Sequence, residues 1–246
     1  MMLDRLSAIF SKNHYDPQFT IDGHDYPILI TRNARARNIS LRADPVRREI
    51  RITMPNYAQT SQALEFVEKK REWLSAKLSL AAKHIPFDHR AIIGICGEEV
   101  EIIWDETASR HVTLKEQKLY VGGPRDHISP RITRWIKAQA RKIFAKDLAH
   151  YCQKLGVATP RLSIGDPRSR WGSCSSNGTI RISWRLYFAP RFVQRAVIAH
   201  EVAHLRHMDH SKAFYALLDI LYEGNRKQAD KWLKMHGTGL HMVGRE

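Results

Sequence analysis

Cysteine is scarce in this 246-residue chain: there are three, Cys96, Cys152 and Cys174, far apart and without a CxxC pair. That spacing argues against a disulfide framework and against a cysteine-based zinc site. No apolar run approaches the ~18–20 residues that a membrane-spanning helix needs, so no span is expected. Met1 to His14 has neither a continuous hydrophobic stretch nor a small-residue cleavage site, the marks of a secretory signal. With the unpaired cysteines, this leads to the expectation of a cytoplasmic protein. Internal repeats, low-complexity tracts and a phosphate loop of the GxxxxGKS or GxxxxGKT kind are also missing.

Acid is in short supply as well. Asp and Glu total 25 against 40 Lys and Arg, a formal charge of +15. The shortage is local: residues 131–195 hold only Asp147 and Asp166 against 14 basic side chains. Such a stretch either attracts anions, whether phosphates, nucleic acid or acidic lipid surfaces, or serves as a solvated face that keeps the protein soluble. Hydrophobic residues at 43% and charged residues at 26% are ordinary for a folded chain and exclude wholesale disorder.

Hydrophobic periodicity predicts the elements. Phe19–Ile30, Asn38–Arg42 and Glu49–Met54 read as strands, with Ala43-Asp44-Pro45 as a turn. Leu64, Val67, Trp73, Leu74 and Leu78 recur at helical spacing in a helix from Thr60 or Ser61 to about Lys83. Ile92–Trp104 and His111–Val121 read as two further strands. Ser129-Pro130 opens a long amphipathic helix that Gly156 stops. Short strands follow at Arg161–Ile164 and Thr179–Trp184, around a serine-flanked Trp171-Gly172-Ser173-Cys174 that reads as a turn, with Gly172 permitting Trp171 to approach the next helix. Pro190 opens that helix, and a last helical stretch begins near Ser211.

The chemistry concentrates in Val197-Ile-Ala-His-Glu-Val-Ala-His-Leu205. His200 and His204, four apart on a helix, project from one face and can grip one metal ion. Glu201 occupies the position from which a carboxylate reaches a water on that metal without binding the metal itself. From the chain's own composition, an HExxH pattern arises by chance roughly 0.03 times. A zinc site of this kind needs a third ligand, and His207, Asp209 and His210 are the candidates. On a continued helix His207 would lie about 10 Å along the axis from His200. His210 is better placed if the helix breaks after Arg206 or His207 and the chain turns back at Met208-Asp209, with Ser211 capping the next helix.

Together, Ser169-Arg-Trp-Gly-Ser-Cys-Ser175, Ile180-Arg-Ile-Ser-Trp-Arg-Leu186, Pro190, His200-Glu-Val-Ala-His-Leu205 and Asp209-His-Ser-Lys-Ala-Phe214 resemble the YgjP-like zinc metallopeptidases, relatives of the SprT-type and WLM proteases. The resemblance extends upstream to Arg35–Arg42 and Phe66–Leu78. It implies an α+β fold with a zincin-like core, Zn²⁺ held by His200, His204 and His210, and Glu201 as the catalytic carboxylate. The residue before the third histidine, commonly asparagine in that family, is Asp209 here.

The expected layout is a tail over 1–20, a β-rich accessory region with one long helix over 21–128, a zincin-like catalytic core over 129–236 and a tail over 237–246. The expected activity is peptide hydrolysis by Glu-assisted attack of a zinc-bound water, with the strand Thr179–Trp184 offering an edge to an extended peptide. A second expectation keeps the metal but changes the bond: Arg168, Arg170, Arg181 and Arg185 would clamp an anionic substrate, as in a nucleotide pyrophosphatase acting on UTP. A third is a non-enzymatic, nucleic-acid-associated zinc module using the basic 131–195 surface.

Overall fold

A computed structural model describes residues 17–45, 47–79 and 84–244. The chain forms two compact units, Met1–Lys83 and His84–Glu246.

In the first unit the run expected as one strand from Phe19 folds back at Asp22-Gly23, giving β1 (Gln18–Ile21) and β2 (His24–Arg32). β3 (Ser40–Asp44) and β4 (Glu49–Met54) complete a four-stranded sheet of order β1-β2-β4-β3, in which only β2 and β4 are parallel. The expected single helix is two, α1 (Thr60–Lys69) and α2 (Arg71–Leu78), separated at Lys70. Alternation along β4 turns Ile50, Ile52 and Met54 inward, where they pack in one core with Val67, Leu74 and Leu78 from the helices. Each such side chain removed from water contributes about 1.5–3 kcal/mol. Residues 1–16 of the expected tail lie outside the described residues, and residues 18–20 already belong to β1.

The second unit contains a sheet of order β5-β6-β8-β7, from β5 (Ile92–Ile95), β6 (Glu98–Asp105), β7 (Thr113–Lys115) and β8 (Lys118–Gly122). Each of the two long expected strands is therefore a hairpin, turning at Cys96-Gly97 and at Glu116-Gln117. The 28-residue α3 (Ile128–Leu155) follows and ends at Gly156, whose φ of 71° supplies the left-handed conformation of the cap. β9 (Leu162–Gly165), β10 (Gly172–Cys174) and β11 (Ile180–Ser183) make a small sheet of order β10-β11-β9. α4 (Arg191–Ala203), α5 (Lys212–Leu221) and α6 (Arg226–Leu240) complete the unit.

The division between units falls well before the boundary expected near residue 128. The reason is packing: Ile93, Ile102 and Leu119 of the first sheet share one continuous core with Ile132, Ile136 and Phe144 of α3 and with Ile198 of α4. Residues 237–244, expected as a tail, are built in too. Met242 and Val243 are buried, and Ile85 bridges to Val243 through bonds between Ile85 N–H and the Met242 carbonyl and between Gly244 N–H and the Ile85 carbonyl.

Candidate metal centre

α4 is positioned at its start by side chains that the sequence pattern does not reveal. Gln194 is fully buried and donates to the carbonyls of Tyr187 and Ala189. Nη2 of Arg191 donates to both carboxylate oxygens of Asp147 of α3, at 2.7 and 2.8 Å. The apolar residues Val193, Ile198 and Val202 bury the rest of the helix.

α4 stops at Ala203, with His204 as its cap, three to four residues earlier than the sequence suggests. The chain curls through Leu205 and Arg206, whose N–H groups bond back to Val202 and Ala203, and returns His210 to the face of His200 and His204. Nε2 of His210 lies 3.1 Å from Nε2 of His200, and one nitrogen from each of the three histidines falls within 4.8 Å of the others. Two nitrogens on one tetrahedral ion with bonds of ~2.0–2.1 Å sit about 3.3 Å apart.

The ring states suit a cation. Nδ1 of His204 donates to the His207 carbonyl at 2.9 Å, which leaves Nε2 with its lone pair. Burial pushes His200 down to about 4, with help from His204, His210 and Arg226, so it stays neutral. Three imidazoles converging on one point could hold a metal ion. His207 itself stays out of the cluster and contributes through its backbone. Asp209 also stays out, its carboxylate accepting from the Ser211 N–H at 3.4 Å.

Ser211 caps α5, accepting from the Phe214 N–H at 3.3 Å, as its position suggests. This sets fully buried Phe214 against all three histidines, with ring centroids 4.9, 4.6 and 4.9 Å from His200, His204 and His210.

Glu201 is buried on the adjoining part of α4, 6% exposed. Burial pushes its carboxyl up to about 7, against the opposing pull of the Arg170 charge and a hydrogen bond from the Cys174 backbone N–H. Both opposing groups come from β10 and the loop before it. The contact is close because residue 172 is glycine: a Cβ there would lie 2.5 Å from Oε1 of Glu201 and 2.6 Å from its Cγ. Beside Glu201 and His200 a cavity of about 250 Å³ has Ala196, Val197, Leu218 and Leu233 in its apolar wall and Arg170 and Arg226 among its charged residues.

A family model for the YgjP-like metallopeptidase domain matches residues 37–236. The chain belongs to the YgjP-like metallopeptidase family. Its fold is the expected α+β, and a YgjP-like chain with this histidine cluster is a metallopeptidase-type hydrolase whose triad could hold a metal. Among solved structures the chain is similar to the metallopeptidase zymogen of Pyrococcus abyssi abylysin, at 21% identity and a TM-score of 0.35, over 37% of this chain and 93% of that one. No curated protein gives a significant match.

Other expectations about this YgjP-like site change. Trp171-Gly172-Ser173-Cys174 is a strand and its lead-in, not a turn. Trp171 stacks on His241 at 4.7 Å and borders Gly237 of α6. The strand expected to offer an edge is β11, the middle strand of its sheet, paired antiparallel to β10 and parallel to β9. Of the four candidate anion-binding arginines, Arg185 is buried and spoken for: it pairs with Asp166 at 2.8 Å, donates to the Leu240 and Val243 carbonyls, and lies over the Trp184 ring. Arg168, Arg170 and Arg181 are exposed, and of the four only Arg170 lines the cavity beside Glu201.

Proposed function

We propose that the protein is a zinc-dependent peptidase in which His200, His204 and His210 hold the ion and Glu201 is the general base. The observation that carries this reading is the convergence of the three histidine nitrogens next to a buried carboxylate that takes no part in the cluster. When bound, Zn²⁺ would supply a Lewis acid that acidifies water and polarises a scissile carbonyl. Glu201 would accept a proton at its carboxylate and return it to the departing amine. The Cys174 N–H and the missing side chain of Gly172 would hold that carboxylate in a single orientation.

An extended peptide fits β10 better than the strand expected from sequence. β10 is an edge strand and lies against Glu201, whereas β9, the other edge, has its Leu162 carbonyl taken by Arg141 at 3.4 Å. The nucleotide reading loses support because Arg185 is used inside the fold. A purely structural zinc has no use for a buried Glu201 beside the triad.

Zinc content and cleavage of an unbiased peptide library test the proposal. Glu201→Gln should keep zinc and lose at least 100-fold in turnover, since general base catalysis contributes about 10²–10⁴. His200→Ala should lose zinc. Full zinc in His200→Ala, or pyrophosphate release from a nucleotide panel with no peptide cleaved, would sink it.

A further inference from the structure

Two groups stand out among the 14 basic residues of 131–195. Lys154 and Arg195 pair with Glu223, Arg185 with Asp166, and Arg191 with Asp147, so these cations are already matched by carboxylates within the fold. Arg134, Lys137, Arg141, Lys142 and Lys146 instead occupy exposed positions along α3. Among the described residues none of the five pairs with a carboxylate: Lys137 lies over the Trp184 ring at 5.6 Å and Arg141 reaches a backbone carbonyl. The single acidic residue of α3, Asp147, is buried on the opposite side.

We propose that this face of α3 docks the phosphate backbone of duplex nucleic acid. From Arg134 to Lys146 the cations are strung over about 18 Å of helix. That is an elongated surface and fits a polyanion better than a compact ligand. At its leading end a cavity of about 300 Å³ is lined by Arg110, His127, Arg131 and Arg134 with two prolines and no carboxylate, a seat for one phosphate. Arg131 is held there by its bond to the Gly122 carbonyl at 2.9 Å.

The same face argues against other partners. It presents alanines at 138 and 145 between its cations and no large exposed apolar side chain, so it has nothing to insert into a lipid surface. Nor does it present an exposed aromatic ring, so it lacks the stacking platform by which single strands are held. Contacts to phosphates alone carry no sequence information. This inference is independent of the peptidase assignment.

The test is fluorescence anisotropy of the full chain with two labelled duplexes of unrelated sequence, from 50 to 200 mM salt. Both should bind equally, with a slope of log K on log salt near about −4.5 for five neutralised phosphates, a loss of roughly 500-fold across that range. Arg134→Gln with Arg141→Gln, and separately Lys142→Gln with Lys146→Gln, should each make the slope shallower by about 2. The exposed α6 pair Lys227→Gln with Lys231→Gln should leave it unchanged. Melting curves confirm folding, and the two independent pairs keep the test decisive if one fails to fold. No duplex binding, an unchanged slope in both α3 pairs, or binding to anionic phosphatidylserine vesicles without binding to duplex would overturn the proposal.

Discussion

Gly172 gives Glu201 its place: the catalytic carboxylate of the proposed mechanism packs into the space that a side chain at position 172 would fill. Gly172→Ala should therefore move the carboxylate while leaving the histidines in place. The expected result is a loss of at least about 100-fold in turnover, the scale associated with misplacing a catalytic group by an ångström, at unchanged zinc content. Turnover within threefold of the parent would show that the close approach has no catalytic role.

His207 and His204 should behave differently despite their proximity. His204 offers a ring nitrogen to the cluster, whereas His207 offers only a carbonyl to the His204 ring. Replacing His204 by alanine should abolish zinc binding, and replacing His207 by alanine should leave a full complement of zinc. Metal analysis after exhaustive dialysis separates the two.

Phe214 supports the three imidazoles from below. Phe214→Ala leaves a cavity at a fully buried site and should cost about 3–5 kcal/mol in stability. Zinc affinity should fall with it, because the rings lose the surface that fixes their tilt. Phe214→Leu, which keeps most of the volume, should retain more of both in urea titrations.

Glu223 should make the fold acid-sensitive. Partial burial pushes its carboxyl up, but hydrogen bonds from His150 and Lys154 prevail and hold it at about 2, below the ordinary 4.5. A carboxylate with a depressed folded pKa stabilises above its unfolded pKa, and that stability fades as pH falls through the folded value. The difference in urea midpoint between the parent and Glu223→Gln should be full at pH 7, shrink below about 4.5 and vanish near 2. Its size should be about 0.5–1 kcal/mol, since the group is 41% exposed and screened by solvent. A difference that grows on acidification would contradict this.

The parts of the site written in side-chain spacing were legible in the sequence. His200 and His204 share a helix face by periodicity alone, and Gly156 and Ser211 mark helix ends through their own conformational and hydrogen-bonding chemistry. The groups that complete the site were not legible, because the Cys174 N–H and the His207 carbonyl are backbone atoms that any residue supplies. Arg185 misled for a related reason. Its partners lie 19, 55 and 58 residues away, and a charge reads as surface until such partners are known. β10 was missed because three residues are too few to show a period, and its flanking serines favour turns.

Those distant partners of Arg185 also tie residues 240–243 to the unit that carries the triad. A buried guanidinium stripped of its partners costs about 3–5 kcal/mol, a sizeable part of the stability of an ordinary domain. During synthesis the helix carrying Glu201 and two of the histidines emerges well before Leu240 and Val243 do. Until those two carbonyls arrive, the unit around the triad lacks the contacts that satisfy its buried cation. The fold around the triad is thereby completed only when residues 240–243 are in place, so those two carbonyls stabilise the helix that carries Glu201 although neither touches it.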